Sequence, residues 1–276
     1  MDDLVAKANA LRRLHTAGPL LVLPNAWDAA SARVFVEAGF PALATTSAGV
    51  AFTLGYADGE RISRAEMLAA VARITARVAV PVTADLEAGY GAAPEAVAET
   101  ARGAIAAGAV GMNLEDAREE DGGALLDFAL AVARVRGARD AADGAGVPLV
   151  LNARTDAFHP GALAPDRRLA EAVRRGNAFR DAGADCVFVP FVGDSDTIER
   201  LVKEIAAPLN ILGGPNAPTL RELEALGVRR VTFGSAPMRA TLGLVRRMAR
   251  EWKEKGTYGT LEAYGIPFAE LQQLFG

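Results

Sequence analysis

Short apolar runs rich in β-branched residues alternate along the chain with longer alanine-rich stretches whose apolar positions fall at helical spacing. This is the pattern of repeated strand–helix units on a parallel sheet. Strands are predicted at 20–24 (LLVLP), 42–47 (ALATTS), 81–87 (PVTADLE), 111–116 (GMNLED), 149–155 (LVLNART), 186–191 (CVFVPF), 209–214 (LNILGG) and 229–235 (RRVTFGS). Between them, 63–78, 94–107, 165–182 and 237–252 have the spacing of amphipathic helices, and Ser63 and Pro94 fit helix starts. EAGFPAL, AAGAVGM, DAGADCV and ALGVRRV each place a glycine where a helix should end and the next strand begin. Eight such units match a closed (β/α)8 TIM barrel of the α/β class better than an open doubly wound sheet, which needs a switch point. The prediction is a single barrel domain spanning 1–276, with an extra N-terminal helix and a helical C-terminal extension at 253–276. That extension holds more aromatic and apolar residues than a solvated tail needs, so it is expected to pack on its own barrel or on a neighbouring subunit.

Composition narrows the chemistry. The chain has 276 residues, a net charge of −4 and 51% apolar residues, enough for a large buried core. Lys and Arg are interspersed with Asp and Glu, so there is no basic field for a polyanion and nucleic acid is not an expected partner. The first residues mix acids with bases and lack an apolar h-region, and no run approaches the ~18 apolar residues of a membrane span. A soluble cytoplasmic protein is expected. One cysteine, Cys186, excludes an intrachain disulfide and a cysteine metal cluster. With only His15 and His159 as other soft donors, a metal here would be held by oxygen.

In such a barrel the site lies at the C-terminal ends of the strands, and here those ends are acidic. They carry Asn25 to Asp28; Thr45, Thr46 and Ser47; Asp85 and Glu87; Asn113, Glu115 and Asp116; Asn152, Arg154 and Asp156; then Gly213, Gly214 and Ser235. Asp85 and Glu87, two apart on a strand, should point the same way, with Glu115 beside them on the next strand. Converging carboxylates repel one another unless a cation neutralises them, and hard oxygen donors suit Mg²⁺ or Mn²⁺. The alternative is that these acids pair with Arg154 or cap helices. Arg154 itself has two readings, a clamp for a carboxylate or phosphonate and an ion pair with a barrel acid. Gly213, Gly214, Gly234 and Ser235 occupy the usual phosphate-binding position of such barrels, although glycine is also the ordinary turn residue there.

LPNAWDAASARVFVEAGFPALATTSAG, LGYADGE, PVTADLEAGYG, GAVGMNLED and NARTDAF, in this order and spacing, resemble the isocitrate lyase and phosphoenolpyruvate mutase superfamily over nearly the whole chain. The resemblance implies that Asp85 binds Mg²⁺ directly while Asp58, Glu87 and Glu115 hold its water ligands. It implies that Arg154 binds the substrate's acidic group and that the amides of Thr46, Ser47 and Ala48 hold a 2-oxo acid carboxylate, with Asn210 and Gly213 also near the substrate. Asp58 and Arg154 then form the catalytic set, with His159 as a stand-in proton donor or merely a surface residue. Dimers that exchange their last barrel helix, often paired into tetramers, are implied as well.

The departures from the family pattern bear on the reaction. The lyases carry a Lys-Cys-Gly-His type loop after strand four, but here it reads AREEDGGA. The longer gating loop of the phosphonate enzymes is absent too. Pro190 stands where the lyases have Glu and the mutase has His, and Asn210-Ile-Leu212 replaces a more polar pattern. The expected activity is a Mg²⁺-dependent cleavage of a carbon–carbon bond, or a decarboxylation, in a small 2-oxo or 2-hydroxy (di)carboxylate through an enolate-like intermediate. Its rivals are a phosphonopyruvate-type hydrolase or mutase and a 2-oxo acid binding protein with little turnover. Cys186, opening its strand among apolar neighbours, is expected to be inert core.

Overall fold

The structure is a computed structural model that describes residues 2–118 and 122–276. Helix α1 (Asp2–Thr16) precedes parallel strands β1 (Leu21–Leu23), β2 (Asn25–Ala26), β3 (Leu43–Thr45), β4 (Val82–Asp85), β5 (Gly111–Glu115), β6 (Val150–Arg154), β7 (Cys186–Val189), β8 (Leu209–Leu212) and β9 (Arg230–Thr232). The sheet order is β1-β9-β8-β7-β6-β5-β4-β3-β2. Pro24 explains why eight predicted staves appear as nine strands. Its ring removes the N–H that would continue the ladder, although its carbonyl still accepts from the Ala44 amide at 3.0 Å. On one side of this break β1 pairs with β9, and on the other β2 pairs with β3, so the two pieces together close the barrel.

Helices α2 (Ala29–Glu37), α3 (Ser47–Thr53), α4 (Arg64–Thr75), α5 (Pro94–Ala106), α6 (Phe128–Gly144), α7 (Pro165–Asp181), α8 (Ser195–Glu204), α9 (Leu220–Ala225) and α10 (Ala236–Lys255) follow the strands. Ser63 caps α4 in a reciprocal box with Glu66, and Pro94 occupies the first turn of α5. Gly39, Gly108, Gly183 and Gly227 all adopt positive φ just past a helix end, a conformation that glycine enters without a Cβ clash. Outward-facing Val187, Val189, Ile211 and Val231 pack with Ile198 and Leu201 of α8 in an apolar shell between sheet and helices.

The barrel interior, by contrast, is polar. Asn152 donates to Asn113 Oδ1 at 2.7 Å, the fully buried Arg230 reaches the same oxygen at 3.5 Å, and Asn210 pairs with Thr232 at 3.2 Å. Helix α1 brings in His15, whose Nε2 lies 3.4 Å from Arg230 and whose Nδ1 lies 2.8 Å from the Leu11 carbonyl. Because a guanidinium only donates, Nε2 is the acceptor and Nδ1 carries the proton. Burial and the charge of Arg230 push His15 down to about 3, so the ring is neutral.

The extension forms α11 (Gly259–Tyr264) and α12 (Phe268–Phe275). Arg33 Nε of α2 donates to the Leu274 carbonyl of α12 at 2.9 Å, so part of this segment packs on its own barrel. Along α10 only Met238 is buried, and Leu242, Val245 and Trp252 are exposed. Among the described residues no helix is long and apolar enough to cross a membrane.

Candidate active site

A cavity of about 970 Å³ opens at the C-terminal ends of the strands. Of the residues singled out in the sequence, Thr46, Ser47, Ala48, Asp58, Asp85, Arg154, His159 and Gly213 line it. Asp85 ends β4, with Oδ2 accepting from the amide and hydroxyl of Ser47, each at 3.0 Å. Asn113 Nδ2 lies 3.5 Å from its other oxygen. The carboxylate is therefore held from two sides and aimed into the cavity mouth.

Glu87 reaches this site by a different route from the one predicted. The strand ends at Asp85, and Glu87 sits beyond it with φ +52, so strand alternation is not what brings the two acids together. Its Oε2 accepts from the Glu60 amide at 2.6 Å, while Glu60 Oε1 accepts from the Tyr90 amide at 2.7 Å. Glu60 and Tyr90 also have positive φ, each 57°. Such backbone costs of order 1–3 kcal/mol per residue and clusters at functional sites. Burial, then the charges of Asp58 and Asp85, push the Glu87 carboxyl up to about 8.

Arg154 is already engaged. Its Nη1 bonds Glu115 at 2.7 Å, and its Nε and Nη2 bond Asp156 Oδ1 at 3.0 and 2.7 Å. Burial disfavours its charge, but these two carboxylates outweigh that and hold the guanidinium above its ordinary value. The ion-pair reading thus describes Arg154 in this structure, and Glu115 is committed to it rather than facing the cavity. Burial drives the Glu115 carboxyl well upward against the pull of Arg154.

Three other placements differ in detail from expectation. Of the loop amides, Thr46 N–H donates to the Ala26 carbonyl and Ser47 N–H to Asp85, which leaves the Ala48 amide for a ligand. Asn210 lies under the floor, paired with Thr232, and does not line the cavity. Gly213 lines it, but a Cβ there would sit 2.8 Å from Val231 Cγ1 and 2.9 Å from the Phe233 ring, so close packing accounts for this glycine. The loop at 117–124 extends over 119–121, which lie outside the described residues.

The charges of Asp58 and Asp85 raise the Glu87 carboxyl, and Arg154 is paired with Glu115 and Asp156. A hard divalent cation fits that donor set. Among the described residues no group of three His, Cys, Asp or Glu side chains is placed to hold a metal ion by itself.

A family model described as phosphoenolpyruvate phosphomutase matches residues 11–253. The chain belongs to the phosphoenolpyruvate mutase family. It is similar to a solved structure from Burkholderia cenocepacia J2315 described as a lyase/mutase, with 40% identity and a TM-score of 0.93 over 100% of this chain and 98% of that one. An uncharacterised protein of Mycobacterium tuberculosis is 35% identical over 259 residues, covering 94% of this chain and 93% of its own. The 2,3-dimethylmalate lyase of Eubacterium barkeri is 28% identical over 281 residues, covering 98% and 94%. This family, which is also the isocitrate lyase superfamily, contains carbon–carbon lyases and mutases. The fold is its TIM barrel.

Several parts of this family site carry no signal in one sequence. Glu60 and Tyr90 matter through backbone amides and left-handed turns, which residue type does not announce. Phe191, with φ +65, sets its ring in the cavity 5.9 Å from the Arg154 guanidinium carbon and edge-on to His159 at 5.2 Å. The pairing of Arg154 with Asp156 was the one accessible clue, because i and i+2 at a strand end share a face.

Proposed function

We propose that this protein is a Mg²⁺-dependent lyase that cleaves a carbon–carbon bond, or removes CO₂, in a 2-oxo or 2-hydroxy acid. The observation that carries the reading is that Asp58 and Asp85 line the barrel mouth beside the Ala48 amide, with Glu87 buried behind the cavity wall and raised by their charges. Asp85 would hold the ion directly, with Asp58 and Glu87 on its waters; Mn²⁺ satisfies the same oxygen donors. Bound there, the cation would supply positive charge against the substrate carboxylate and 2-oxo oxygen.

The remaining steps belong to the chain. Ala48 N–H orients the substrate carboxylate, as backbone donors do for developing negative charge. The Arg154 ion pairs with Glu115 and Asp156 hold the adjacent wall rigid. In a 2-oxo acid the departing carbon leaves as CO₂, or as a carbonyl once its hydroxyl gives up a proton, and the electron pair stays on the oxo acid as an enolate. In a 2-hydroxy acid C2 becomes the carbonyl as its hydroxyl loses a proton, and the pair stays on the other, carboxylate-bearing fragment. In either case one carbanion then needs a proton. His159, at the cavity rim against Phe191, is the proton source in this reading. The exposed apolar residues of α10 support a dimer, or pair of dimers, in which a second copy covers this helix by exchange.

The test is Mg²⁺ and Mn²⁺ titration by calorimetry with pyruvate present, followed by assays of pyruvate release from oxaloacetate and malate-type acids. Phosphate release from phosphonopyruvate instead would assign a hydrolase. Mg²⁺-dependent binding with no product from any of them would assign a binding protein.

A further inference from the structure

The turn that follows β4 is held as a platform. Arg134 of α6, itself buried, donates to the carbonyls of Ala88, Gly91 and Ala92, the last two at 2.8 and 2.9 Å. Thr100 Oγ1 of α5 donates to the Gly89 carbonyl at 2.8 Å. Two helices thus satisfy the backbone of 88–92 from outside, and the buried side chains of Leu86 and Ala88 anchor it from within. The segment that carries Asp58 has the opposite character. Residues 52–58 are all exposed, and the next buried side chain is that of Ile62. A stretch with so little buried surface does not fix a carboxylate by packing.

Glu60 joins the two. Its amide donates to Glu87 Oε2 at 2.6 Å and its Oε1 accepts from the Tyr90 amide at 2.7 Å, so the backbone and side chain of one residue grip the platform at two points. The Tyr90 hydroxyl lies 3.4 Å from the other Glu87 oxygen and closes the ring of contacts. The grip is made by three non-glycine residues, Glu60, Glu87 and Tyr90, at φ of 57, 52 and 57°, a backbone conformation that a Cβ disfavours. Asp58 stands two residues from Glu60, at most about 7 Å of chain, so the grip limits how far that acid can swing from the platform.

We infer that Glu60 is a positioning residue, which holds the exposed segment of Asp58 against the platform of Asp85 and Glu87 so that the acids are in place before a cation arrives. The inference rests on the proposed metal site for its consequence, not for the grip itself. The experiment compares Glu60→Gly and Glu60→Gln in the full chain. Glycine takes a φ of 57° without strain and keeps the amide that donates to Glu87, but it loses the bond from Tyr90. Glutamine keeps the Oε1 acceptor and gives up only the charge. By calorimetry with Mg²⁺ and pyruvate, Glu60→Gly should bind Mg²⁺ about tenfold more weakly, while Glu60→Gln should stay within about twofold of the unaltered protein. The metal-free melting temperature of Glu60→Gly should hardly move, since relief of strain offsets the lost bond. Cleavage by trypsin after the exposed Arg61 reads the grip without any metal, and should be about fivefold faster in Glu60→Gly than in the other two proteins. Equal Mg²⁺ affinity in all three overturns the inference and leaves the metal site standing. An equal loss in both variants overturns it too, because the charge of Glu60 would then serve the ion. If the unaltered protein binds no Mg²⁺ the metal site fails, and the trypsin rates decide the grip alone: faster cleavage in Glu60→Gly supports it and equal rates overturn it.

Discussion

The β4–β6 and β7–β9 staves are made by the same strand–turn–helix repeat, yet they end in opposite chemistry. The first three close on Asp85, Glu115 and Arg154; the last three run into Pro190 and Phe191, Leu212, and Phe233. On the polar side nearly every charge is held by another group. Glu115 and Asp156 take Arg154, and Asp116 takes Arg175 at 3.1 Å and the Asp156 amide at 2.8 Å. The same side also gathers Asp58, Asp85 and Glu87, where burial and the charges of the first two raise the third. On the other side Asn210 meets Thr232, and the cavity wall sets Phe188, Phe191, Leu212 and Phe233 beside the polar Asn216, Thr232 and Ser235. The scaffold is indifferent to both; a few residues at the strand ends decide where charge is concentrated and where water is excluded.

The strongest way to break this contrast is to remove an acid from that group. Asp85→Ala removes the one acid placed to touch the ion, so Mg²⁺-dependent oxo acid binding should vanish by calorimetry. The metal-free protein should melt at the same temperature or higher, since repulsion on Glu87 is relieved. An unchanged Mg²⁺ titration would sink the metal assignment. Glu87→Gln still accepts from the Glu60 amide and should cost Mg²⁺ affinity about tenfold, the lower range for a group acting through a ligand's surroundings.

Next is the boundary between the sides. Arg154→Lys keeps a charge but cannot bond Glu115 and Asp156 together, so the wall beside the oxo acid should loosen and binding should weaken by roughly 1 to 3 kcal/mol. Mg²⁺ affinity in the absence of acid should hardly move. A fall in melting temperature with oxo acid affinity intact would make the arginine purely structural.

The frame of both sides was legible from the chain alone, because its signals are local. Pro94 starts α5, Ser63 caps α4, and the four glycines before strands end helices. The closing of the barrel was less so, since the break at Pro24 becomes visible only when its two neighbours in the ring are known. Among the candidate site residues, Asp85 and Arg154 followed from strand ends. Their partners did not. Glu87 escapes the two-residue alternation because the chain turns left-handed at that position, and the Glu60–Tyr90 brace joins segments thirty residues apart through backbone amides. Arg154 could be placed on the wall, but whether it faced substrate or acids depended on Asp156 lying within 2.7 Å.

The barrel floor, on which both sides stand, offers a smaller effect read through pH. His15 is held to about 3, so between its ordinary 6.5 and that value the unfolded chain takes up a proton that the folded chain refuses. Its contribution to stability is therefore complete above pH 6.5 and is lost as the pH falls toward 3. From pH 7 to 5.5 this amounts to about 1 kcal/mol. His15→Gln keeps an acceptor for Arg230 without titrating, so its melting temperature should fall less over that range than that of the unaltered protein. Parallel curves would show that the ring is protonated or exposed.

The smallest effect is expected at Cys186, the residue that separates this protein from lyases with a reactive cysteine loop. Cys186 opens β7, pairs in register with Asn152 and is fully buried, at the opposite end of its strand from Phe191 and absent from the cavity wall. Burial pushes its thiol up to about 12, and the nearby Arg230 offsets only part of that, so no useful thiolate exists at neutral pH. The residue serves as a small apolar filler inside an otherwise polar barrel. Cys186→Ala should therefore leave turnover of any oxo or hydroxy acid unchanged and cost no more than about 1 kcal/mol of stability, as the loss of one buried heavy atom does. Denaturant unfolding and a rate assay on the same preparation check both halves of that expectation. Inactivation of the folded protein by a thiol reagent, with protection by substrate, would instead place the sulfur at the mouth and restore a cysteine-dependent mechanism.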